Sequence, residues 1–486
     1  MKLTKFAKGE NSFLKYATGL LLLVIPLYPK FPLIFVPDTF VAIRLEDFLI
    51  AAVLLGWLLI MLHRRVRLWA DPMMQLVGIF LFATFLSSLS AILVTKTVVP
   101  HIALLHAARR IEYMMVLFLA ASAVINRETL RFFVKVVIVA AFVSAVYGVG
   151  QKFLALPVIS TMNSEFAQGM ALSLGPEARV NATFAGHYDL AAYLVPVLVI
   201  TLAMIFVYRK WREKVIIFLV FFILVWLMLA SASRISFGAY LLVAAGLLAL
   251  VKKKKWIIPV VFVSLAMAAF SQSLTSRYAR LVNVAIINTY NRLLAMRVIT
   301  PKVDTQVQIL PSPIPLAQTG EGAVVLRPGG IKTSPRPRKP RPSPTYIAPP
   351  IIEDRSMAIR LNVEWPRAIK SLVKNPLVGT GPSSITLATD NDYLRALGET
   401  GLVGFISLLT VFVAIFVRTK NLLRYSVETL EGAFGWAMLA GSFGLFINAI
   451  FIDVLEASKV AVTLWLLMGI WLGAARLDLS ASKKNE

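Results

Sequence analysis

Apolar residues occur in long blocks along this chain, and most blocks have about the 17–25 residues that a helix needs to cross a bilayer. Short polar connections separate most of these blocks. The twelve blocks lie near 15–29, 45–62, 73–94, 108–125, 132–156, 188–207, 215–231, 235–251, 256–271, 400–417, 432–452 and 459–475. The pattern predicts an all-α, polytopic membrane bundle of about twelve transmembrane helices.

One long segment, 272–399, interrupts this series because it contains no block of spanning length. Helical spacing of its apolar residues near 275–299 and 356–373 predicts amphipathic surface helices, with Pro366 marking a kink or a helix start. Between them, residues 300–350 hold 12 of the chain's 25 prolines, which predicts an extended or disordered insert. The predicted organisation follows as helices 1–9 over 1–271, a large outer loop over 272–399, helices 10–12 over 400–475 and a tail over 476–486.

Composition strengthens the membrane interpretation. Of the 486 residues, 58% are hydrophobic and 15% are charged, against about 45–50% and about 25% in soluble domains. A soluble enzyme is therefore excluded. The chain has no cysteine, so disulfides, cysteine-ligated zinc and thiol catalysis are excluded as well.

The net charge of +25 would suggest nucleic acid as the partner of a soluble protein. In a membrane protein, positive residues in short loops instead set the orientation. With the N-terminus inside, the inner connections carry 23 Lys and Arg and the short outer connections carry 7. We therefore expect both termini in the cytoplasm, the large loop outside, membrane lipids as neighbours and no nucleic-acid partner.

Two arginines stand out as candidate anion-binding groups. Arg234 sits alone between the seventh and eighth blocks, either as a snorkelling residue or as an anion clamp. Arg360 lies on the amphipathic helix before the late turn, either on a solvated face or as a second clamp. A guanidinium suits phosphate because it is planar, donates a fork of hydrogen bonds and stays charged.

Polar residues also cluster before the tenth and sixth blocks. Asp390 and Asp392 flank Asn391, which suits a general base with an orienting amide, or a helix cap. A metal site is weakly indicated, since no histidine is near. Arg179 and His187 precede the sixth block, where His187 is either a group titrating near neutral pH or a boundary residue. Deeper carboxylates such as Glu112 are expected to pair with nearby arginines.

The run Asn391-Asp392-Tyr393-Leu394, followed by Glu399-Thr400-Gly401-Leu402-Val403-Gly404, leads into a late helix. Together with about twelve helices and a large late outer loop, it resembles the O-antigen ligase / O-antigen polymerase family. Further matching stretches lie at 179–194, 231–234 and 360–381, and the resemblance covers roughly residues 40–475.

The resemblance implies a GT-C-like glycosyltransferase in the bacterial cytoplasmic (inner) membrane, with its active face extracytoplasmic. Such an enzyme takes a glycan from undecaprenyl diphosphate and passes it to a hydroxyl of a glycan or lipid-glycan acceptor. It implies inversion at the anomeric carbon, with neither metal nor cofactor. The family's diphosphate-binding arginines correspond to Arg234 and Arg360. The matching stretches supply the expected substrate-binding residues, which are Arg179, His187, Asn391, Asp392, Tyr393 and Glu399.

The chain departs from the ligase pattern at one position. Ligases carry a His-Asn pair where this chain has Asp390 and Asn391, so the catalytic base here is expected to be Asp390. This departure leaves ligase and polymerase both open, together with other relatives.

Two other classes of function fit parts of the sequence. A transporter or flippase of lipid-linked glycans would share the helices, but transporters place binding groups near the bilayer midplane. A scaffold that binds anionic polymer would use the basic outer loop. The transferase is our preferred interpretation.

Overall fold

The computed structural model describes residues 8–161, 169–270, 355–385 and 389–482, apart from 38, 40–41 and 176–177. The described part is mostly helical. In chain order the α-helices are α1 (Lys8–Leu27), α2 (Leu45–His63), α3 (Pro72–Leu93), α4 (Pro100–Ala123), α5 (Arg127–Phe153), α6 (His187–Val207), α7 (Trp211–Ala230), α8 (Arg234–Leu250), α9 (Ile257–Ala269), α10 (Arg355–Ile359), α11 (Trp365–Lys374), α12 (Asp392–Thr419), α13 (Leu430–Asn448) and α14 (Ser458–Ser482).

Smaller elements join these helices. A two-stranded antiparallel hairpin follows α5, with Val158 opposite Leu172. Residues Arg360–Glu364 form one turn of π-helix between α10 and α11. Short 3₁₀ turns lie at Leu68–Ala70, Lys254–Trp256 and Lys420–Arg424.

Eight described helices are long and apolar enough to cross a membrane, which supports a multi-pass membrane protein. These spans are Leu45–His63, Pro72–Leu93, Arg127–Phe153, His187–Val207, Trp211–Ala230, Asp392–Arg424, Leu430–Asn448 and Ser458–Leu477. Each of the twelve predicted blocks overlaps a described helix, but α1, α4, α8 and α9 are not among the eight spans. The count of twelve crossings therefore stays a prediction.

Several helices begin where the sequence provides an N-cap, a side chain that accepts a hydrogen bond from the first turn. Asp71 accepts from the Met73 amide, and Asn126 accepts from the Thr129 amide. Thr429 starts α13 in the same way. These caps leave fewer unsatisfied amides at the helix ends, so the boundaries are set locally.

The helices are ordered from central to peripheral by burial. α6 and α14 are almost fully buried, whereas α2 and α7 expose much of their apolar surface. α14 packs against α4, α13 against α6, and α12 against α3. Exposed leucines and phenylalanines on the peripheral helices are what a lipid-facing surface requires.

Two helices begin earlier than their apolar blocks. α4 begins at Pro100 rather than at 108, so Arg109 and Arg110 lie in the middle of a helix. α12 begins at Asp392 rather than at 400, because Asn391 caps it through a 2.9 Å hydrogen bond from the Leu394 amide. In both cases polar residues that the hydrophobic pattern assigns to a loop belong to the helix.

A kink in α12 anchors the predicted turn at 375–382. Gly401 has φ 65° and ψ −171°, a conformation open mainly to glycine. The freed backbone bonds the turn, since the amides of Leu402 and Val403 donate to the carbonyls of Pro376 and Leu377 at 2.9 and 3.1 Å. A β-carbon on Gly401 would lie 2.3 Å from the Leu377 carbonyl oxygen, so the two backbones touch.

The amphipathic helix predicted near 356–373 is confirmed as α10, the π turn and α11, with Pro366 in the first turn of α11. The amphipathic helix predicted near 275–299 and the proline-rich insert lie outside the described residues. The orientation of the bundle and the GT-C-like arrangement stay predictions.

Candidate functional site

The segment before α12 is held in place by one carboxylate of the connection between α13 and α14. Asp453 accepts hydrogen bonds from the backbone amides of Thr389 and Asn391, at 2.9 and 3.2 Å. Asp390, between them, has φ 47°, a left-handed conformation that Asp and Asn tolerate better than most residues. The backbone therefore presents the Asp390 side chain in one fixed direction.

That direction brings the predicted base to a predicted anion clamp. Arg360 donates from Nη2 to Oδ2 of Asp390 at 2.7 Å. The Arg360 side chain is 5% exposed and that of Asp390 is 26% exposed. Among the described residues, the other carboxylate oxygen of Asp390 has no hydrogen-bond partner. The pair is thus anchored on the arginine side and accessible on the aspartate side.

Arg360 begins the single turn of π-helix, a rare conformation that often occurs at functional sites. Around this turn, four buried polar atoms lack a hydrogen-bond partner in the described part of the chain. They are Arg360 Nε, Glu364 Oε2, Trp365 Nε1 and Thr389 Oγ1. We call Arg360, Glu364, Trp365, Thr389 and Asp390 the open turn. Buried polar atoms are usually paired with protein groups or ordered water, so such a concentration makes this turn a candidate ligand site.

The electrostatics of the open turn favour protonation of its carboxylates. Burial raises the pKa of Asp390, while the nearby Arg360 guanidinium opposes this rise. Burial, together with the charge of Asp390, raises the pKa of Glu364 to about 7. Both shifts move the carboxyls toward the neutral pH at which a general base works best.

The other predicted site residues at the start of α12 have hydrogen-bond partners inside the protein. Asp392 accepts from the Leu455 amide at 3.0 Å, and the Tyr393 hydroxyl donates to the Phe446 carbonyl at 2.9 Å. Asn391 is the cap of α12. These contacts hold the α13–α14 connection against α12. Substrate binding by Asn391, Asp392 and Tyr393 stays a prediction, and each now has a structural role beside it.

Glu399 belongs to a larger set of ion pairs. It lies 2.7 Å from Arg110 Nη2 and 3.2 Å from Arg395 Nε. Arg110 also pairs with Glu456 at 2.9 Å, and Arg395 with Asp453 at 2.7 Å. We call Arg110, Arg395, Glu399, Asp453 and Glu456 the paired network. It joins α4, α12 and the α13–α14 connection, and Asp453 links it to the open turn.

Glu112 is expected from the sequence to pair with a nearby arginine, but Arg109 and Arg110 pair with other carboxylates. Arg109 lies 3.7 Å from Asp47, and Arg110 bonds the network carboxylates. Glu112 Oε1 is buried without a hydrogen-bond partner among the described residues. The sequence placed Glu112 close to both arginines along the helix but could not show that each guanidinium turns toward another helix.

Arg179 and His187 form a second predicted group, and they touch. Arg179 Nη1 contacts the His187 ring nitrogen Nε2, and its guanidinium lies 5.8 Å from the centre of the Tyr188 ring. The neighbouring Val180 amide donates to the Ala230 carbonyl at 3.0 Å. The group is therefore fastened beside the connection that leads to Arg234.

Arg234 is the first residue of α8 and is half-buried. Two hydrogen bonds relate its helix to the open turn. Ser236 Oγ donates to Asn448 Oδ1 at 2.7 Å, and the next residue, Ala449, accepts from the Asp392 amide at 2.8 Å. Arg234 thus lies at the same end of the helices as Asp390, whereas the Asp390 ion pair is made by Arg360.

Three residues of the open turn, Glu364, Trp365 and Thr389, were not singled out as site residues by sequence reasoning. The available signal was weak, because Glu364 and Trp365 lie on a helix that reads as solvated. A comparison with known protein families and with curated proteins finds no match to this chain. The chemistry of the site therefore rests on its geometry.

Proposed function

We propose that this chain is a membrane glycosyltransferase that moves a glycan from undecaprenyl diphosphate to an acceptor hydroxyl, as the O-antigen ligases and polymerases do. The observation that carries the proposal is the Arg360–Asp390 ion pair at a π turn, surrounded by buried polar atoms without partners. A base, an anion-binding group and unsatisfied hydrogen-bonding atoms are what this transfer requires.

The reaction is a displacement at the anomeric carbon. The acceptor oxygen forms a bond to that carbon, and the bond from the carbon to the diphosphate oxygen breaks. Its electron pair leaves with the diphosphate, and the acceptor proton goes to Asp390. Attack from the face opposite the leaving group inverts the anomeric centre. The diphosphate is already a good leaving group, so positioning and charge stabilisation supply most of the acceleration.

Asp390 suits the role of base through its geometry. Arg360 holds Oδ2, so the second carboxylate oxygen stays available to the acceptor hydroxyl. The raised pKa makes Asp390 a stronger base than an ordinary surface aspartate. This is how an aspartate serves at the position where ligases use histidine.

Arg360 suits the role of leaving-group clamp for a related reason. While Nη2 binds Asp390, the buried Nε is left to donate to a diphosphate oxygen. One planar guanidinium then fixes the distance between base and leaving group. Arg234 and Arg179, at the same end of the helices, add positive charge for the remaining diphosphate oxygens.

The rest of the open turn suits a sugar. Trp365 Nε1 is a donor, ionised Glu364 is an acceptor, and the Thr389 hydroxyl is both. Sugar hydroxyls likewise donate and accept, so they can satisfy all three atoms together. In a bacterial cytoplasmic membrane oriented by its positive inner loops, this end would face outward, where lipid-linked glycans meet their acceptors.

The test is release of the leaving group. Membranes containing the protein are given undecaprenyl diphosphate-linked glycan labelled in the diphosphate, and free undecaprenyl diphosphate is measured. We expect Asp390→Asn to lower its release about 10²–10⁴-fold, the usual contribution of a general base. Asparagine also tolerates the left-handed backbone, so the fold is expected to survive.

A matched control is Glu428→Gln, which makes the same carboxyl-to-amide change at an exposed ion pair with Lys253. Its release rate is expected to equal that of the unaltered protein. Equal rates in Asp390→Asn and the control would refute the site. Movement of intact lipid-linked glycan between leaflets, with no release of diphosphate, would identify a transporter instead.

A further inference from the structure

The helix α11 and the turn that follows it expose apolar side chains on one side. Ile369, Val373 and Leu377 are 47%, 72% and 63% exposed, and they follow one another at the four-residue spacing of one helix face. The opposite face packs against α12. Ala368 is buried there, and a β-carbon on Gly398 would lie 2.9 Å from its carbonyl oxygen. The apolar face therefore points away from the bundle.

A row of basic residues lies beside this apolar face. Arg367, Lys370 and Lys374 are three and four residues apart, so they form one row along α11. Lys370 and Lys374 are exposed, and neither forms an ion pair within the described part of the chain. α11 contains no acidic residue. An apolar face flanked by Lys and Arg is typical of a helix that lies in a membrane interface.

The position of α11 along the bundle agrees with the edge of a bilayer. Asn375, just after α11, donates from Nδ2 to the Ser90 hydroxyl oxygen of α3 at 2.9 Å. Ser90 lies 19 residues beyond Asp71, the N-cap of α3, which corresponds to about 28 Å along a helix. Trp69, of a type enriched at membrane boundaries, is exposed just before Asp71. Because a hydrocarbon core is about 30 Å thick, α11 ends at the boundary opposite Trp69.

The apolar face also continues the surface of a membrane-spanning helix. The Leu377 carbonyl accepts a hydrogen bond from the Val403 amide at 3.1 Å, so the two residues are neighbours. Val403 begins a stripe of exposed apolar side chains on α12, followed by Ile406, Leu409 and Val413. This part of α12 belongs to a candidate membrane span, so its exposed stripe suits contact with lipid. Lipid that covers the stripe would reach Leu377 next.

We propose that α11 lies in the membrane interface and binds anionic phospholipid. Val373 and Leu377 contact the hydrocarbon chains close to the head groups, and Lys370 and Lys374 lie at the level of the phosphates. Lys374 also donates to the Thr95 carbonyl at 3.0 Å, but an ammonium has three donors and keeps two for phosphate. Because α11 carries only positive charges, an anionic head group is favoured over a zwitterionic one.

This lipid contact acts on the helix that carries part of the open turn. Trp365 has helical φ and ψ of −64° and −44°, so the π turn with Arg360 continues into α11 without a break. Trp365 precedes Val373 by about 12 Å along the helix. Lipid contacts at Val373 therefore help to hold Arg360 and Trp365 in position, and they can be measured without glycan transfer.

The test uses the full-length protein, which has no cysteine, so a single introduced cysteine carries a fluorophore at one known place. Labelled Val373→Cys is reconstituted in phosphatidylcholine vesicles whose chains are brominated near the head group, because bromine quenches on contact. We expect its fluorescence to be lost as in labelled Leu409→Cys, the reference in the exposed stripe of α12. Glu428→Cys, at the exposed ion pair with Lys253, is the aqueous reference and should keep its fluorescence.

The anionic preference is measured with a minor fraction of brominated phosphatidylglycerol in unbrominated phosphatidylcholine, against the same fraction of brominated phosphatidylcholine. Quenching of Val373→Cys should indicate about two- to fivefold more phosphatidylglycerol than phosphatidylcholine at the label. Adding Lys370→Glu should remove this preference. Lys420→Glu is the matched control, because it makes the same change at an exposed lysine at the other end of α12. It should keep the preference.

Fluorescence of Val373→Cys that matches Glu428→Cys would overturn the proposal, because water, another segment or a second copy would then cover the face. Equal quenching by the two brominated lipids would also overturn it, and so would a preference that survives Lys370→Glu. Val373 is largely exposed, so the label replaces few contacts within the protein. Thermal unfolding of each variant checks that the fold is kept.

Discussion

The open turn and the paired network are built from the same kinds of residues, yet their hydrogen bonding differs. In the paired network every carboxylate contacts an arginine, and Arg395 bonds Glu399, Asp453 and the Ile385 carbonyl. In the open turn four of five residues have a buried polar atom without a partner in the described structure. The carboxylates of one region are matched inside the protein, although Arg110 Nη1 has no partner among the described residues, whereas most residues of the other region keep such an unpartnered atom.

The difference separates carboxylates that are matched by arginines inside the bundle from the groups on which the proposed chemistry depends. A buried arginine with two carboxylates contributes to positioning, and removing one partner leaves an uncompensated charge. A buried arginine whose Nε has no partner is desolvated without a compensating hydrogen bond, and a bound phosphate oxygen can supply that bond. The two regions touch through Asp453, so the network also fixes where the open turn lies.

The largest expected effect on stability comes from breaking the paired network. Glu399→Gln keeps the shape of a side chain that is 1% exposed but removes the charge facing Arg110 and Arg395. We expect it to lower the free energy of unfolding by about 3–5 kcal/mol, the usual cost of a buried charge left without its partner. Thermal unfolding in detergent measures this change.

Glu428→Gln is again the control, because its ion pair with Lys253 lies at the exposed surface. Its melting temperature is expected to match that of the unaltered protein. If Glu399→Gln melts at that temperature too, the ion pairs of the paired network do not stabilise the fold. The paired network and the open turn would then not differ in their contribution to stability.

A smaller effect is expected from removing one donor of the open turn. Trp365→Phe deletes the unpartnered indole N–H and keeps an aromatic ring beside Phe451, 6.3 Å away. Because a neutral hydrogen bond contributes about 0.5–1.5 kcal/mol, KM for the labelled donor should rise about two- to tenfold. The melting temperature should change little, because no hydrogen bond within the protein is lost and the phenyl ring keeps much of the packing.

Trp471→Phe provides the comparison for this change. Trp471 also has a buried Nε1 without a partner among the described residues, but it packs against Phe416 in the core. Its replacement should leave KM unchanged. A KM that rises equally in both variants would mean that the indole of Trp365 does not bind donor.

The smallest expected effect is a change in pH dependence near neutrality. Glu364 has a pKa of about 7, and the charge of Asp390 contributes to raising it, so Asp390 is already ionised where Glu364 titrates. Below pH 7 both Glu364 and its glutamine replacement are neutral. Glu364→Gln should therefore leave the acid limb of kcat/KM, which Asp390 sets, in place, and should remove the change in rate that follows ionisation of Glu364 near pH 7.

The pH profile of undecaprenyl diphosphate release measures this change, with Glu428→Gln showing the unaltered profile. A shift of the acid limb in Glu364→Gln would contradict the assigned order of ionisation. A profile that stays the same near pH 7 would mean that the charge of Glu364 does not act on the transfer.

A local sequence pattern shows which residue types are present but not which distant residues they contact. The sequence points to Arg360 as an arginine on an amphipathic helix and to Asp390 through a motif, and the fold brings the two side chains together at 2.7 Å. Asp392 and Glu399 looked equally available, but their partners are far along the chain. Glu399 and Arg110 are 289 residues apart, so no local pattern could show that the two are paired.

The sequence by itself determined the helical elements, because apolar length and N-caps act locally. Blocks of spanning length overlap every long helix described, and Asn391 marks the start of α12. The charge pattern of the sequence also predicts the orientation of the bundle in the membrane. What only the tertiary structure decided is which polar atoms are satisfied. Ion pairs between distant segments match the carboxylates of the paired network, whereas several atoms of the open turn stay without partners among the described residues, and this comparison requires every neighbour in place.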